Sequence, residues 1–325
     1  MEPVTFEIAP GLTAIDTFYG GRERYTAAYL LAAAEPAIVE TGPTTSAPAV
    51  VAGLERLGIT PADLAHIVVT HIHLDHAGGV GRLALLYPNA TICVHERGAP
   101  HLADPTRLVA SATRIYGEGQ MASLFGPVDP VPAPRIRALA DGDLIDLGDR
   151  QLDVMATPGH ASHQVALADR GSGAVFTGDA LGIHVPDLPV LRPATPPPDF
   201  DLELALGSIE RIRQRARHGT LLFSHFGPVA DVDRICDLAA RRLRSWAEVV
   251  REALRRTDDL DEIASVLEEE ALRDVATGAE ARIDLERFEM LSSVRINAAG
   301  LVRYWRKRAE RQTAPVENAE PQPES

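Results

Sequence analysis

Short apolar runs broken by turn residues dominate the first 230 positions of the chain. Residues 4–8, 12–17, 26–32 and 36–40 are the first of them. Others follow at Ile67-Val68-Val69-Thr70, at Ala90 to Val94, and at 143–147, 151–156, 164–168, 174–177 and 220–224. Runs rich in Val, Ile, Leu and Thr between turn residues predict strands. Between some of them the apolar spacing lengthens to three or four, which predicts helices over 46–57, 78–87, 105–124 and 201–216. In the last, Leu202, Leu206, Ile209 and Ile212 share one face. Strands interleaved with helices predict a layered α/β domain over residues 1–230.

From Asp231, a suitable N-cap, the texture turns helical. Ile235, Leu238, Leu243, Trp246, Val250 and Leu254 mark one apolar face. Asp258 to Ala271 reads as a second, acidic helix, and Ile283 to Arg308 as a third, interrupted at Gly300. Residues 231–312 therefore form a C-terminal helical domain, and the polar, Pro-rich 313–325 a disordered tail. Six prolines between Pro186 and Pro198 exclude a regular element and predict an extended surface connection.

Composition narrows the class. With 45% apolar and 24% charged residues the chain can bury a core, so disorder is excluded as its dominant state. A net charge of −14 argues against nucleic acid or an anionic membrane as partner and for a small-molecule substrate. No run of 18 apolar residues predicts a membrane span, and the first residues do not read as a signal peptide, so the expected location is the cytoplasm. Cys93 and Cys236 are too few for a disulfide framework or a cysteine zinc module. The apolar-faced C-terminal helices leave room for a homodimer.

Histidine placement changes the picture most. His71, His73 and His76, with Asp75, lie within six residues after the run Ile67–Thr70, and a Gly pair follows. Alternation sends His71 and His73 to one side of the chain, while Asp75 and His76 sit at the turn. Imidazole nitrogen and carboxylate oxygen are ligands that zinc and iron favour. His160, Asp179 and His225 each follow or end another predicted strand, and strand ends gather at one edge of an α/β layer.

This ordered set, His71-x-His73-x-Asp75-His76, His160, Asp179 and His225, resembles the metallo-β-lactamase superfamily of metallohydrolases, in its glyoxalase II and lactonase-like branch, over about residues 5–230. The resemblance implies a four-layered αββα sandwich with the metals at one edge. It also implies two divalent ions, zinc first, with iron or manganese as alternatives. One ion takes His71, His73 and His160, the other Asp75, His76 and His225, and Asp179 bridges them. Glu40 stands where the family more often has Asp, in a supporting role.

Two close cations can share a hydroxide that attacks an ester-type bond, a thioester or a lactone, of a small metabolite. Asp75 then holds a metal and orients or relays the proton. His163 and His184 are further candidates for support or substrate contact, whereas His66, His95, His101 and His218 lack motif context. Tyr19, Tyr25 and Tyr116, with Arg22 and Arg24, lie in segments that could border the cleft. The alternatives on this fold are a mononuclear-iron persulfide dioxygenase and a phosphodiesterase or nuclease.

Overall fold

The computed structural model describes residues 2–184, 190–273 and 286–313. Seven strands form the first sheet in chain order: β1 (Thr5–Ala9), β2 (Leu12–Asp16), β3 (Ala27–Leu31), β4 (Ala37–Val39), β5 (His66–Val68), β6 (Thr91–His95) and β7 (Ile136–Leu139). The pairs from β1 to β4 are antiparallel and those from β4 to β7 parallel. Helix Ala47–Arg56 links β4 to β5, and helices Leu74–Ala77 and Val80–Leu86 link β5 to β6. Such crossovers are what parallel neighbours require.

The second sheet is built from β8 (Leu144–Asp146), β9 (Gln151–Ala156), β10 (Val165–Asp169), β11 (Val175–Gly178), β14 (Leu221–Phe223) and β15 (Pro228–Val229). Its β8–β11 run is antiparallel, and β11 pairs with β14 in parallel across helix Leu202–Arg215. A small ribbon pairs β12 (Ile183–His184) with β13 (Leu191–Arg192).

Side-chain alternation turns these sheets into layers. In β3, Ala27, Tyr29 and Leu31 enter an apolar cluster between the sheets, while Ala28 and Leu30 face the helices on the other side. In β10, Val165 and Leu167 point inward, and Ala166 and Ala168 outward. Both faces of both sheets are therefore buried, in the order helix, sheet, sheet, helix. The C-terminal helices Val232–Ala253, Leu260–Leu272 and Val294–Thr313 join the outer cluster of the second sheet.

Several expectations need correction. Strands β7, β12, β13 and β15 were not foreseen, being short or half exposed. Leu191–Arg192 gives the Pro-rich connection one regular element. The expected helix 78–87 spans Val80–Leu86, and a short helix, Leu74–Ala77, precedes it without having been expected. The expected helix 105–124 ends at Gln120 and continues as a wide turn, Met121–Phe125. Gly300 does not interrupt the last helix. A side chain there would collide with the Thr195 carbonyl, so the missing Cβ admits the Pro-rich connection instead. Residues 283–285 and the tail beyond Thr313 lie outside the described residues.

One buried ion pair ties the second sheet to the first. Asp169 accepts from Arg150 Nε at 2.9 Å and Nη2 at 2.5 Å, and from the Gly171 and Ser172 amides at 3.1 and 2.9 Å. Arg150 Nη1 also donates to the Gly11 carbonyl beside β2. Burial raises the Asp169 pKa, but Arg150, the Ser172 hydroxyl and the amides outweigh it and hold the group at about 2. A depressed pKa adds stability above the unfolded value near 4 and loses it as pH falls toward 2. Asp169→Asn should therefore cost about 3 kcal/mol at pH 7 in urea unfolding. The gap to the parent should narrow in acid.

Candidate metal centre

Five strand ends deliver the site. Glu40 follows β4, Thr70 and His71 follow β5, His160 follows β9, Asp179 follows β11, and Ser224 and His225 follow β14. The two sheets are stitched together there. Val165 N donates to Thr70 O at 2.8 Å, and Ala27 N to Ser224 O at 2.8 Å. Gly178, at φ +51°, lies so close to Thr70 that a Cβ would stand 2.6 Å from its hydroxyl oxygen. That close approach brings Asp179 beside the histidine run.

The predicted residues come together in overlapping groups. Ligand-type atoms of His71, His73 and His160 lie within 4.8 Å of one another, as do those of His71, His76 and Asp179, and those of Asp75, His76 and His225. His73 Nδ1 is 3.0 Å from His71 Nε2 and 2.9 Å from His160 Nε2. Asp179 Oδ1 is 3.4 Å from Nε2 of both His76 and His225, and its Oδ2 is 3.6 Å from His160 Nε2. Asp75 Oδ2 reaches His76 and His225 at 3.5 and 3.6 Å.

Hydrogen bonds behind the rings fix their tautomers. The Ala194 carbonyl can only accept, so His160 Nδ1, 2.9 Å away, carries the proton and Nε2 offers its lone pair inward. Thr70 donates its hydroxyl to Glu40 Oε1 at 2.5 Å and so must accept from His71 Nδ1 at 3.0 Å, which frees His71 Nε2. Glu40 is buried, adopts φ +69°, and also accepts from Ser224. A non-glycine residue there costs about 1–3 kcal/mol, which the surrounding hydrogen bonds offset.

Burial and neighbouring imidazoles push His71 and His73 well below the ordinary histidine pKa, and burial lowers His160. These rings are neutral, the form that coordinates metal. Burial opposes a charge on His76 too, but Asp179, Asp75 and Glu40 override it and raise its pKa. Burial would raise Asp179, yet His76 and His225 hold it well below the usual range. Among the described residues, both ring nitrogens of His76 and of His225, Asp179 Oδ1 and Glu40 Oε2 are buried without a hydrogen-bond partner. Each such atom costs about 1–3 kcal/mol unless something meets it. Cations at the three groups would meet one nitrogen of each ring and Asp179, so the donor set fits divalent metal ions.

The cluster floors a cavity of about 770 Å³. His163 lines it, stacked 6.2 Å from His71 with its pKa lowered to about 4 by burial. His184 does not line it; its ring packs on Phe223 at 5.2 Å. Of the tyrosines and arginines expected near the cleft, Tyr116 lines the cavity, whereas Tyr19, Tyr25, Arg22 and Arg24 do not. His101 and Arg107 do, although no motif marked them. The Ala194 acceptor is 34 residues from its histidine, a separation with no sequence signal.

A family model described as the metallo-beta-lactamase superfamily matches residues 21–225. The acyl-coenzyme A thioesterase MBLAC2 of Homo sapiens is 37% identical over 121 residues, which is 35% of this chain and 40% of that protein. A hydroxyacylglutathione hydrolase of Aeromonas hydrophila is 32% identical over 129 residues, 39% and 37% of the two chains. An N-acyl homoserine lactonase of Azorhizobium caulinodans is 36% identical over 121 residues, 36% and 40%. The matched segment thus spans about 40% of these relatives' length. Among solved structures, an archaeal superfamily protein from Sulfolobus tokodaii superposes with a TM-score of 0.64 at 21% identity, over 90% of this chain and 98% of that one. By the extent of the family match and the fold it shares, this chain belongs to the metallo-beta-lactamase superfamily.

Proposed function

We propose that the protein is a dinuclear metal-dependent hydrolase of an ester-type bond, a thioester or a lactone, in a small metabolite. The observation that carries this reading is the set of three overlapping ligand groups, with their unmet buried atoms, at the floor of a cavity. His71, His73 and His160 would hold one ion and Asp75, His76 and His225 the other, with Asp179 between them. Zinc is the expected metal, with iron or manganese as alternatives. Bound there, such ions supply a Lewis acid for the acyl carbonyl and make water nucleophilic near neutral pH.

The chain's own groups do the rest. Glu40, through Thr70, fixes the His71 ring, and the Ala194 carbonyl fixes His160. Asp75 is the partly exposed carboxylate of the set and lines the cavity, so it is placed to accept a proton from the attacking water. His163 lies on the cavity wall, near enough to contact substrate. The acyl-coenzyme A thioesterase, hydroxyacylglutathione hydrolase and N-acyl homoserine lactonase named among the relatives support acyl-ester chemistry. A single-iron dioxygenase would leave the Asp75, His76 and His225 group without a role.

Plasma mass spectrometry of the purified protein should find about two divalent ions per chain. One iron alone would instead move the assignment to the dioxygenase. Asp179→Asn and His225→Ala should each lose metal and hydrolysis of a thioester and lactone panel while keeping the parent circular dichroism. Full metal and activity in both would sink the proposal. Glu40→Gln removes the acceptor charge behind His71 and should weaken metal binding by roughly 10–100-fold in competition with a chromogenic chelator.

A further inference from the structure

Helix Thr106–Gln120 is amphipathic, yet Ala112 is its one buried residue. Leu108, Ala112, Ile115 and Tyr116 fall on one face at helical spacing and line the cavity; Leu108, Ala112 and Tyr116 also pack with the apolar cluster around Phe125, whereas Ile115 joins none of the apolar clusters. Ile115 is 41% exposed. Met290 and Leu291, just before the last helix, and Ile296, within it, contribute to the same lining, as do Pro196, Pro197 and Pro198. His73, Asp75, His160 and Asp179 form its polar floor.

Folding alone gives no reason for Ile115 and Ile296 to face the cavity: burying them in the protein would have stabilised the fold, and leaving them hydrated does not. A volume of about 770 Å³ falls within the roughly 300–1,000 Å³ of sites that enclose small ligands. An occupant that suits both parts has a polar carbonyl end and an apolar body.

The geometry points to an aliphatic acyl chain, longer than acetyl, held among helix Thr106–Gln120, Leu291, Ile296 and the Pro196–Pro198 stretch, with its carbonyl end at the histidine and aspartate cluster. The chain's identity as a substrate rests on the hydrolase reading; its binding does not. Two devices hold this part of the cavity in place. Arg192 is buried, donates to the Ser292 carbonyl at 3.0 Å and pairs with Glu289 at 3.3 Å. Asn297 accepts from the Thr195 amide at 2.5 Å. The C-terminal segment is therefore part of the acyl site as well as part of the outer helical layer.

Isothermal titration of the purified protein with sodium butanoate, octanoate and dodecanoate tests this. Affinity should rise along the series, by up to about fourfold for each methylene buried. Ile115→Glu and Ala112→Trp should each cut the dodecanoate-to-butanoate affinity ratio by tenfold or more. Should Ala112→Trp fail to fold, Ile115→Glu, at an exposed position, carries the test. Equal affinity for the three acids, or a rise that the variants leave unchanged, overturns the inference. The p-nitrophenyl esters of the same acids separate the two readings. Hydrolysis without chain-length preference in binding removes the acyl site and keeps the hydrolase. Chain-length preference in binding, with no ester hydrolysed, keeps the acyl site and removes the hydrolase.

Discussion

Taking imidazoles and carboxylates out of water together is costly, and the local structure is organised around that cost. Asp179, His71, His76, His160 and His225 are all buried. A buried carboxylate needs charge beside it, and a buried ring nitrogen needs a partner. Thr70 and Ala194 satisfy the outward nitrogens of His71 and His160. The inward nitrogens and Asp179 Oδ1 face one another across a few ångströms, an arrangement that protein groups alone leave unmet and divalent cations suit.

The sandwich makes this arrangement affordable by placing it where five strands end. Inside a strand the backbone is committed to its ladder and side chains alternate into two apolar layers. Beyond the last ladder bond the chain is free to turn, and residues such as Asp179 can leave the alternation. Gly178 shows the constraint: only a residue without Cβ lets β11 approach Thr70 this closely. Glu40 shows it again, held at positive φ so that one carboxylate can serve Thr70 and Ser224 and lie near His76.

The helices that cover the outer faces also shape the cavity. The last helix packs on helices Val232–Ala253 and Leu260–Leu272, joining the outer apolar cluster through Ala298, Leu301 and Val302, and the segment just before it reaches the cavity through Met290 and Leu291. Gly300 lets the Pro-rich connection lie against that helix, and the connection in turn supplies the Ala194 carbonyl to His160. Packing of the C-terminal layer and orientation of a candidate ligand are thus linked through one short segment.

The long strands and helices were legible in the sequence because burial on one or both faces imposes a period of two or of three to four. The seven clustered residues were legible because they lie in the turns and the short helix that follow strands, at spacings that a chain of this kind uses for metal ligands. Strands β7, β13 and β15 were not, since none of them is a run of apolar residues bounded by turns. Nor was the pairing of His160 with Ala194, the approach of Gly178 to Thr70, or the placing of His101 and Arg107 around the cavity. Each depends on segments far apart in the chain meeting in space. Local residue order determined which groups stand at strand ends; only the packing of two sheets and their helices decided which of them share a site, because that packing sets distances between residues that no local pattern connects.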